Sequence, residues 1–249
     1  MTSPPAREPA GAGAVAHVFV DALGDDLVVD GPDGHHLQRV RRLGRGELVT
    51  AADGTGAWRL YEVGGSEKGS LALVARGERE QAPDPPVGVA LAVALTKGGL
   101  DDVVAAVTEI GALRIVPVRT ARAVVRWDTP RAVRAVERLR TVARESAMQS
   151  RRARIPAVDD VTDLVALAQR RDLVVADREG MPAAALPRPF PGSEWTVLVG
   201  PEGGLAPAEL EALAAHPRLS LGPHVLRAST APIAAVAVLV GETSRLLQE

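Results

Sequence analysis

The sequence LVGPEGGL at residues 198–205 decides the fold, because it joins a hydrophobic run to a turn rich in glycine. The apolar residues 195–199 predict a strand, and residues 207–215, which open with Pro207, predict a helix. Strand, glycine turn and helix in this order build ligand sites at the carboxyl end of α/β sheets. Glycine has no side chain, so backbone amides in such a turn can approach a ligand closely. The stretch therefore predicts a ligand site, although taken alone it also fits an ordinary connecting loop.

A second glycine turn follows in the sequence LSLGPHVLRASTAP, at residues 219–232. A short apolar strand again ends in Gly-Pro. A long apolar helix is predicted from Thr230, with Pro232 in its first turn, where the missing N–H costs nothing. Two glycine turns that close neighbouring strands predict one composite pocket.

Together, these two segments resemble the cofactor-binding loops of the SPOUT methyltransferases, and most of all those of the RsmE family. The resemblance continues through Lys97-Gly98, the TEIG sequence at residues 108–111, Arg122 and the ESAMQSRR sequence at residues 145–152. It covers nearly the whole chain from His17 onward. Four residues depart from the family pattern, which has lysine, glutamate, serine and glutamate at the corresponding positions: Ala106, Ala121, Ala123 and Ser229.

The resemblance implies S-adenosylmethionine as cofactor and N3 of a uridine in 16S ribosomal RNA as methyl acceptor. The glycine turns should offer backbone contacts and apolar walls to the cofactor. The residues expected to bind it are Leu198, Val199, Gly200, Glu202, Gly203, Gly204, Leu221, Gly222, Val225, Leu226 and Thr230.

Methylation of uracil N3 requires a nucleophile, and N3 is protonated near neutral pH. Either a base removes the proton, or positive charge stabilises the deprotonated ring. Glu202 is the best carboxylate by location, although orientation of a loop amide or a cofactor hydroxyl is the favoured role for it. Arg122 and Arg227 are the other catalytic candidates, as anion stabilisers whose alternative role is contact with phosphate. A serine at position 229 cannot replace a carboxylate as base.

Charge is distributed unevenly along the chain. Residues 114–154 hold twelve arginines against three acidic side chains, a net charge of +9, which leaves −11 for the rest of a chain whose net charge is −2. Such asymmetry indicates a polyanionic partner, although a solvated helix face is the alternative. The resemblance implies that this partner is 16S rRNA, either naked or in the small ribosomal subunit. The residues expected to face it are Arg122, Gln149, Arg151 and Arg152, together with His36, Arg39, Arg41 and Arg42 near the N-terminus.

The order of patterns predicts two domains. Residues 1–14 read as a disordered tail, and residues 15–80 as short strands typical of a small β-barrel, which the resemblance identifies as a PUA-like RNA-binding domain. Residues 81–86 form a stiff proline-rich linker. In residues 87–249 strands alternate with helices, which predicts an α/β fold with a mostly parallel sheet. The resemblance implies that this is a SPOUT methyltransferase domain with a C-terminal trefoil knot, and that the protein is a homodimer.

Composition restricts the function further. The chain of 249 residues has no cysteine, no apolar run of transmembrane length and no signal peptide, so we expect a cytoplasmic protein without disulfides, membrane contact or a metal. The chain lacks a P-loop, and its Gly44-x-Gly46 sequence lies in the β-rich part, which argues against a dinucleotide-binding dehydrogenase. The remaining alternative is an RNA-binding or ribosome-assembly protein with a degenerate SPOUT fold. Cofactor binding would distinguish it from the enzyme.

Overall fold

The computed structural model describes residues 8–35, 37–38, 43–67, 69–85, 87–96, 98–123, 128–190 and 192–246. The chain divides into two compact units. The first unit comprises residues 1–84 and 147–155, and the second comprises residues 85–146 and 156–249. The division at Asp84 lies inside the stretch predicted as a linker. The assignment of residues 147–155 to the first unit is a difference from the sequence prediction, which placed them in the catalytic domain.

The first unit is built on a six-stranded sheet. Its strands are β1 (Ala16–Phe19), β2 (Asp26–Val29), β3 (Leu48–Ala52), β4 (Ala57–Glu67), β5 (Ser70–Ala75) and β6 (Glu80–Gln81), and a short helix α1 (Gly31–His35) follows β2. The sheet order is β1-β3-β4-β5-β2, and β6 pairs with β4. The β1–β3 pair is parallel and the others are antiparallel. The apolar runs at residues 15–20, 27–29, 48–51, 57–63 and 71–74 predict strands, and each of them overlaps a strand of this sheet.

Residues 147–155 join the first unit through apolar packing and through two arginines. Ala147 and Ala153 are buried in a cluster with Trp58. The Arg151 guanidinium donates to the carbonyl oxygen of Ala14 at 2.6 Å. Arg154 donates to the Ala82 carbonyl at 3.0 Å and forms an ion pair with Asp84. The backbone amide of Ile155 donates to the carbonyl oxygen of Gly54. These internal bonds explain why the segment belongs to this unit.

The predicted disordered tail, residues 1–14, is described from Glu8 onward. Residues Pro9–Ala12 form a turn of 3-10 helix, and Pro9 and Ala14 are buried. Ala14 also supplies the carbonyl that accepts from Arg151. Residues 8–14 thus contribute buried side chains and a hydrogen bond to the first unit, whereas the sequence predicts a disordered tail over residues 1–14.

The second unit is an α/β structure around a seven-stranded parallel sheet. Its strands are β7 (Gly88–Ala94), β8 (Arg114–Arg119), β9 (Ala157–Val158), β10 (Thr162–Asp163), β11 (Leu173–Met181), β12 (Glu194–Val199) and β13 (Arg218–Leu219). Its helices are α2 (Leu100–Ile110), α3 (Thr129–Gln149), which runs on into the first unit, α4 (Leu164–Leu167), α5 (Pro207–Ala212) and α6 (Ala231–Leu246). The sheet order is β10-β8-β7-β12-β11-β13, and β9 pairs with β8.

The central strands of this sheet are apolar because helices cover both of its faces. Every residue of β7 is buried, as expected for an interior strand of a parallel sheet. Helix α6 packs on β7, β12 and α2. Val236 and Leu239 are fully buried in this core, and Val240 and Leu246 pack against it, so these four residues serve the internal core. The sequence alone leaves open whether these four residues serve the internal core or a dimer interface, and the burial of Val236 and Leu239 assigns those two to the core.

The sequence prediction needs one correction here and several adjustments of length. The sequence at residues 161–169 predicts a helix, but only the four residues of α4 form one, because Thr162 and Asp163 pair with β8 instead. Strand β11 extends five residues beyond its predicted end at Ala176. The predicted strand 219–221 is shortened to Arg218–Leu219. In the described part of the chain, no helix is both long and apolar enough to cross a membrane.

Candidate functional site

The two glycine turns line one pocket, as predicted, but the strands that precede them are not neighbours as the sequence suggested, because β11 lies between β12 and β13. The pocket lies beyond the carboxyl ends of β12 and β13, beside the distal part of β11, and its volume is about 380 Å³. Parallel strands bring their carboxyl ends to the same edge of the sheet, which is why three separate loops converge there. The lining residues are Val175, Ala176, Asp177, Arg178, Val199, Gly200, Pro201, Gly204, Leu205, Leu210, Leu221, Gly222, His224, Val225, Leu226 and Ala231.

Glycine is required at two positions of this lining. Gly204 has φ +68° and Gly222 has φ +118°, backbone conformations that other residues rarely adopt. A Cβ atom at either position would meet no heavy atom within 4 Å, so the space beside both residues is open. The backbone of both turns is thus exposed to a ligand in the pocket.

Seven of the predicted cofactor-binding residues line the pocket: Val199, Gly200, Gly204, Leu221, Gly222, Val225 and Leu226. The other four lie outside its lining. Leu198 is fully buried in the core of the unit. Glu202, Gly203 and Thr230 are exposed at nearby positions of the two loops.

The two glycine turns form two walls of the pocket, and the sequence did not predict its third wall. It is formed by Val175, Ala176, Asp177 and Arg178, of which the last two follow the predicted end of the strand. The apolar run Leu173–Ala176 predicted a strand, but nothing in it indicated that the strand continues past a charged stretch. Pairing of β11 with β13 was the missing information, since it places residues 175–178 beside the second glycine turn.

An ion pair holds this third wall against β13. Arg218 donates to the Asp177 carboxylate, which also accepts from the Glu179 amide at 3.0 Å. The Glu179 amide bond is the main cause that holds the pKa of Asp177 below its usual range, and the bond from Arg218 adds to the effect. Gly180 lies so close to the Arg218 backbone that a Cβ atom there would be 2.6 Å from its carbonyl. The register of β11 also shifts between Ala176 and Met181.

Arg122 lies in a short loop after β8, residues 120–123, which we call the arginine loop. It is exposed, and its guanidinium donates to the carbonyl of Gly203 at 3.4 Å. A Cβ atom added at Gly203 would lie 3.5 Å from the Arg122 carbonyl oxygen. The backbone and the side chain of Arg122 therefore both adjoin the first glycine turn. The other two catalytic candidates, Glu202 and Arg227, are exposed on the two loops and lie outside the pocket lining.

Glu209 is the second functional candidate that the sequence reasoning missed. Its side chain is buried, and its two carboxylate oxygens accept from the backbone amides of Ala206 and Ala121, each at 2.7 Å. The first bond caps helix α5, and the second reaches the arginine loop. A glutamate three residues inside a helix start is a recognisable capping signal, but the partner 88 residues away could not be read from it.

The basic segment 114–154 is partly neutralised within the fold. Five of its twelve arginines form ion pairs with acidic residues in the described part of the chain, and five of these partners lie outside the segment: Arg114 with Asp159, Arg119 with Asp163, Arg138 with Asp101, Arg140 with Glu137 and Asp160, and Arg154 with Asp84. Arg131 and Arg134, near the start of α3, are exposed, and within the described residues neither has an ion pair. The uneven charge of the sequence is therefore smaller on the folded surface than the count suggests.

The predicted RNA-facing residues fall into three groups. Gln149 is exposed at the end of α3. Arg151 has φ +57° and binds the backbone carbonyl oxygens of Ala14 and Val15, and burial lowers the pKa of Arg152 to about 10, so both arginines are integrated into the first unit. His36, Arg39, Arg41 and Arg42 lie outside the described residues. Among the residues that the structure describes, no group of three or more His, Cys, Asp or Glu could hold a metal ion.

Known proteins are similar to this chain over most of its length. A family model for the RNA methyltransferase domain matches residues 83–240, and one for the RNA methyltransferase PUA domain matches residues 29–75. The ribosomal RNA small subunit methyltransferase E of Mycobacterium tuberculosis is 37% identical over 245 residues, with 91% of this chain and 92% of that protein covered. The Bacillus subtilis enzyme of the same name is 30% identical, with coverages of 88% and 91%.

Solved structures show the same fold. The crystal structure of the Neisseria gonorrhoeae ribosomal RNA small subunit methyltransferase E, bound to S-adenosylmethionine, superposes with a TM-score of 0.77 at 22% identity. The superposition covers 91% of this chain and 97% of that one. Both proteins therefore share one fold, which in this chain combines a parallel α/β sheet with a PUA domain. The chain belongs to the RNA methyltransferase family that includes ribosomal RNA small subunit methyltransferase E.

Proposed function

We propose that this protein transfers a methyl group from S-adenosylmethionine to N3 of a specific uridine in 16S rRNA. The observation that carries the proposal is the composite pocket, in which two glycine turns and the end of β11 meet, with Arg122 beside the first turn. The relatives are named for methylation of small-subunit ribosomal RNA, which supplies the substrate class. The choice of uridine N3 comes from the RsmE-like sequence motifs.

The residues present fit the cofactor. The pocket volume of about 380 Å³ lies within the range of roughly 300–1,000 Å³ typical of small-molecule sites. Apolar side chains such as Val199, Leu221 and Leu226 supply walls for an adenine ring, and the open backbone at Gly204 and Gly222 supplies hydrogen-bonding groups. Arg178 and Asp177 bring both signs of charge to the third wall, which suits an amino-acid moiety carrying an ammonium and a carboxylate.

The bound cofactor supplies an electrophilic methyl group. The chain's own residues must then hold the uracil with N3 unprotonated and in line with that methyl. Arg122 is the best placed cation for this, because its guanidinium adjoins the glycine turn and can stabilise negative charge on the deprotonated uracil. Arg227 is exposed on the second glycine loop and is the second candidate. Contact with RNA phosphate is the alternative role for both.

Glu202 is exposed, which favours orientation of a loop amide or of a cofactor hydroxyl over proton abstraction. A carboxylate in water is a weak base toward uracil N3, because its proton affinity is far below that of the deprotonated ring. Position 229 lies outside the pocket lining, so serine in place of the family's glutamate removes no group from the pocket. Charge stabilisation by arginine is therefore the mechanism we favour.

The decisive experiment combines two measurements. Calorimetric titration with S-adenosylmethionine tests the pocket, and methyl transfer to small ribosomal subunits that lack the modification tests the reaction, with the product nucleoside identified by mass spectrometry. N3-methyluridine is the expected product. Cofactor binding without transfer, to subunits or to naked 16S rRNA, would contradict the proposed substrate. A chain that binds RNA but not the cofactor would instead be the non-catalytic ribosome-assembly protein, which the intact glycine turns disfavour.

We also infer that the protein is a homodimer. Supporting this, α6 exposes small and apolar side chains at Ala237, Val238 and Gly241, while its opposite face is buried in the core. Val238→Asp should give a monomer in light scattering, whereas Val165→Asp, at another exposed valine on α4, should leave the dimer intact. A monomeric parent protein would refute the inference.

The trefoil knot that the resemblance implies is a further proposal. It is supported by the strand order, since β12 follows β11 in sequence but lies between β7 and β11, and by α6, which returns over β7 and β12. Because the chain has no cysteine, two cysteines added at its ends would pair uniquely and close it into a ring. After denaturation, a ring closed in the folded state should be more compact than one closed in the unfolded state.

We place the enzyme in the cytoplasm, where its ribosomal substrate is assembled.

A further inference from the structure

We propose that Glu209 is a positioning residue, which fixes the arginine loop relative to the first glycine turn and so determines where Arg122 meets the substrate. This inference rests on the proposed function. Glu209 lies on α5, immediately after the glycine turn, and its side chain does not line the pocket. It therefore acts through backbone amides and not by contact with the cofactor.

The two hydrogen bonds of Glu209 fix two different loops. The Oε2 atom accepts from the Ala206 amide, which fixes the end of the glycine turn where α5 begins. The Oε1 atom accepts from the Ala121 amide, one residue before Arg122. A single side chain therefore connects the loop that lines the pocket to the loop that carries the cation. Each bond is 2.7 Å long, within the range for a charged acceptor.

Burial makes this connection rigid. Glu209 is 7% exposed, so water competes little for its oxygens, and a carboxylate is seldom buried without partners. A second contact between the same loops, from the Arg122 guanidinium to the Gly203 carbonyl, is longer at 3.4 Å and lies at the surface. The buried bonds of Glu209 are thus the stronger restraint on the position of Arg122.

This arrangement also accounts for one departure from the family pattern. Ala121 stands where relatives carry glutamate, yet residue 121 contributes its backbone amide, which every residue except proline possesses. The connection to Glu209 is therefore independent of the side chain at position 121. The substitution leaves the restraint on Arg122 in place.

Glu209→Gln keeps the volume of the side chain but leaves only one oxygen that can accept a hydrogen bond. Its NH2 group would face one of the two backbone N–H groups, from which it cannot accept. Glu209→Asp keeps the charge but shortens the side chain, so it cannot reach both amides. We expect each variant to lower kcat by about tenfold to 100-fold, since small displacements of a reacting group have effects of this size. The KM and the Kd for S-adenosylmethionine should change by less than about threefold, because the pocket lining is retained.

Two controls separate positioning from stability. Asp172→Asn, at a half-buried carboxylate that accepts from Arg170 and Thr196 at the amino end of β11, should lower stability comparably and leave kcat within about twofold. In an Arg122→Ala background, Glu209→Gln should cost little further activity, because the group that it positions is gone. Additive losses in this double-mutant cycle, or a kcat for Glu209→Gln equal to that of the parent enzyme, would overturn the proposal. Failure of the parent enzyme to bind the cofactor or methylate RNA would refute the proposed function instead.

Discussion

The Nδ1 atom of His17 lies 2.8 Å from the hydroxyl oxygen of Thr50, and both residues are buried between β1 and β3 of the first unit. The ring also packs edge-on against Phe19. Desolvation by burial is the main cause that lowers the pKa of His17 from 6.5 to about 4; a backbone hydrogen bond with Arg152 opposes it, and the positive charge of Arg151 adds a smaller lowering effect. The folded chain therefore favours the neutral form of this histidine.

Acidification should destabilise the first unit through His17. The unfolded chain binds a proton at His17 below about pH 6.5, whereas the folded chain binds it only near pH 4. The stabilisation is thus fully present above pH 6.5 and is lost as the pH falls from 6.5 to 4, by about 3 kcal/mol. Urea denaturation at pH 7.5 and pH 4.5 measures most of this loss, about 2.5 kcal/mol.

The matched variant for this measurement is His17→Gln, which cannot titrate. Carboxylates also change stability over this pH range, but they do so equally in both proteins. The parent protein should lose more stability between the two pH values than the variant, by about 2.5 kcal/mol. Equal losses would show that His17 is not the titrating group.

The pocket could be anticipated from sequence because its chemistry is local. Glycines and prolines after apolar strands mark turns at the carboxyl edge of a sheet, and both marked turns lie there. The third wall and Glu209 could not be anticipated, since they depend on pairings across long stretches of sequence. Strand β11 extends because it pairs with β13, and Glu209 finds Ala121 only after β8 and α5 are placed together.

The charge argument from sequence was weaker for the same reason. Counting arginines in residues 114–154 omits the acidic partners that folding brings from elsewhere, such as Asp101 and Asp163. Arg151 and Arg154 bind backbone carbonyl oxygens of the first unit, so substituting them should unfold that unit as well as affect RNA. The exposed arginines of α3 are better sites for testing RNA contacts.

Gly200→Val should block cofactor binding while the fold survives. Its Cβ atom would be 3.5 Å from the Leu205 side chain, an ordinary contact, and its methyl groups would enter the pocket. We expect the Kd for S-adenosylmethionine to rise at least about 100-fold, which corresponds to about 2.7 kcal/mol. Calorimetry measures this, with circular dichroism as the check on folding.

Gly203→Val is the matched control for Gly200→Val. Gly203 lies outside the pocket lining but adjoins Arg122, so the added methyl groups should displace the arginine loop. Cofactor affinity should stay within about threefold of the parent protein while kcat falls. A loss of cofactor affinity as large as that of Gly200→Val would move the pocket toward Gly203.

Arg218→Gln should weaken cofactor binding although Arg218 does not line the pocket. Its ion pair with Asp177 holds the third wall against β13, and loss of one partner leaves the Asp177 carboxylate free to move. We expect about a tenfold rise in Kd for S-adenosylmethionine, or about 1.4 kcal/mol. Arg245→Gln, which removes a partly exposed pair with Glu242 near the far end of α6, should leave the Kd unchanged. Equal Kd values for both variants would contradict a role for this ion pair.

Arg131→Ala combined with Arg134→Ala should weaken RNA binding more than the paired substitution of Arg138 and Arg140. The first two arginines are exposed on α3 without ion pairs in the described part of the chain, whereas the last two already bind Asp101 and Asp160. If each of the first two neutralises one phosphate, the slope of log K against log salt should fall by about 1.4 to 1.8 in magnitude. Filter binding of a 16S rRNA fragment between 50 and 200 mM salt, roughly the range over which such effects are large, measures the slope. If both double variants keep the slope of the parent protein, α3 does not contact RNA phosphates and the interface lies elsewhere.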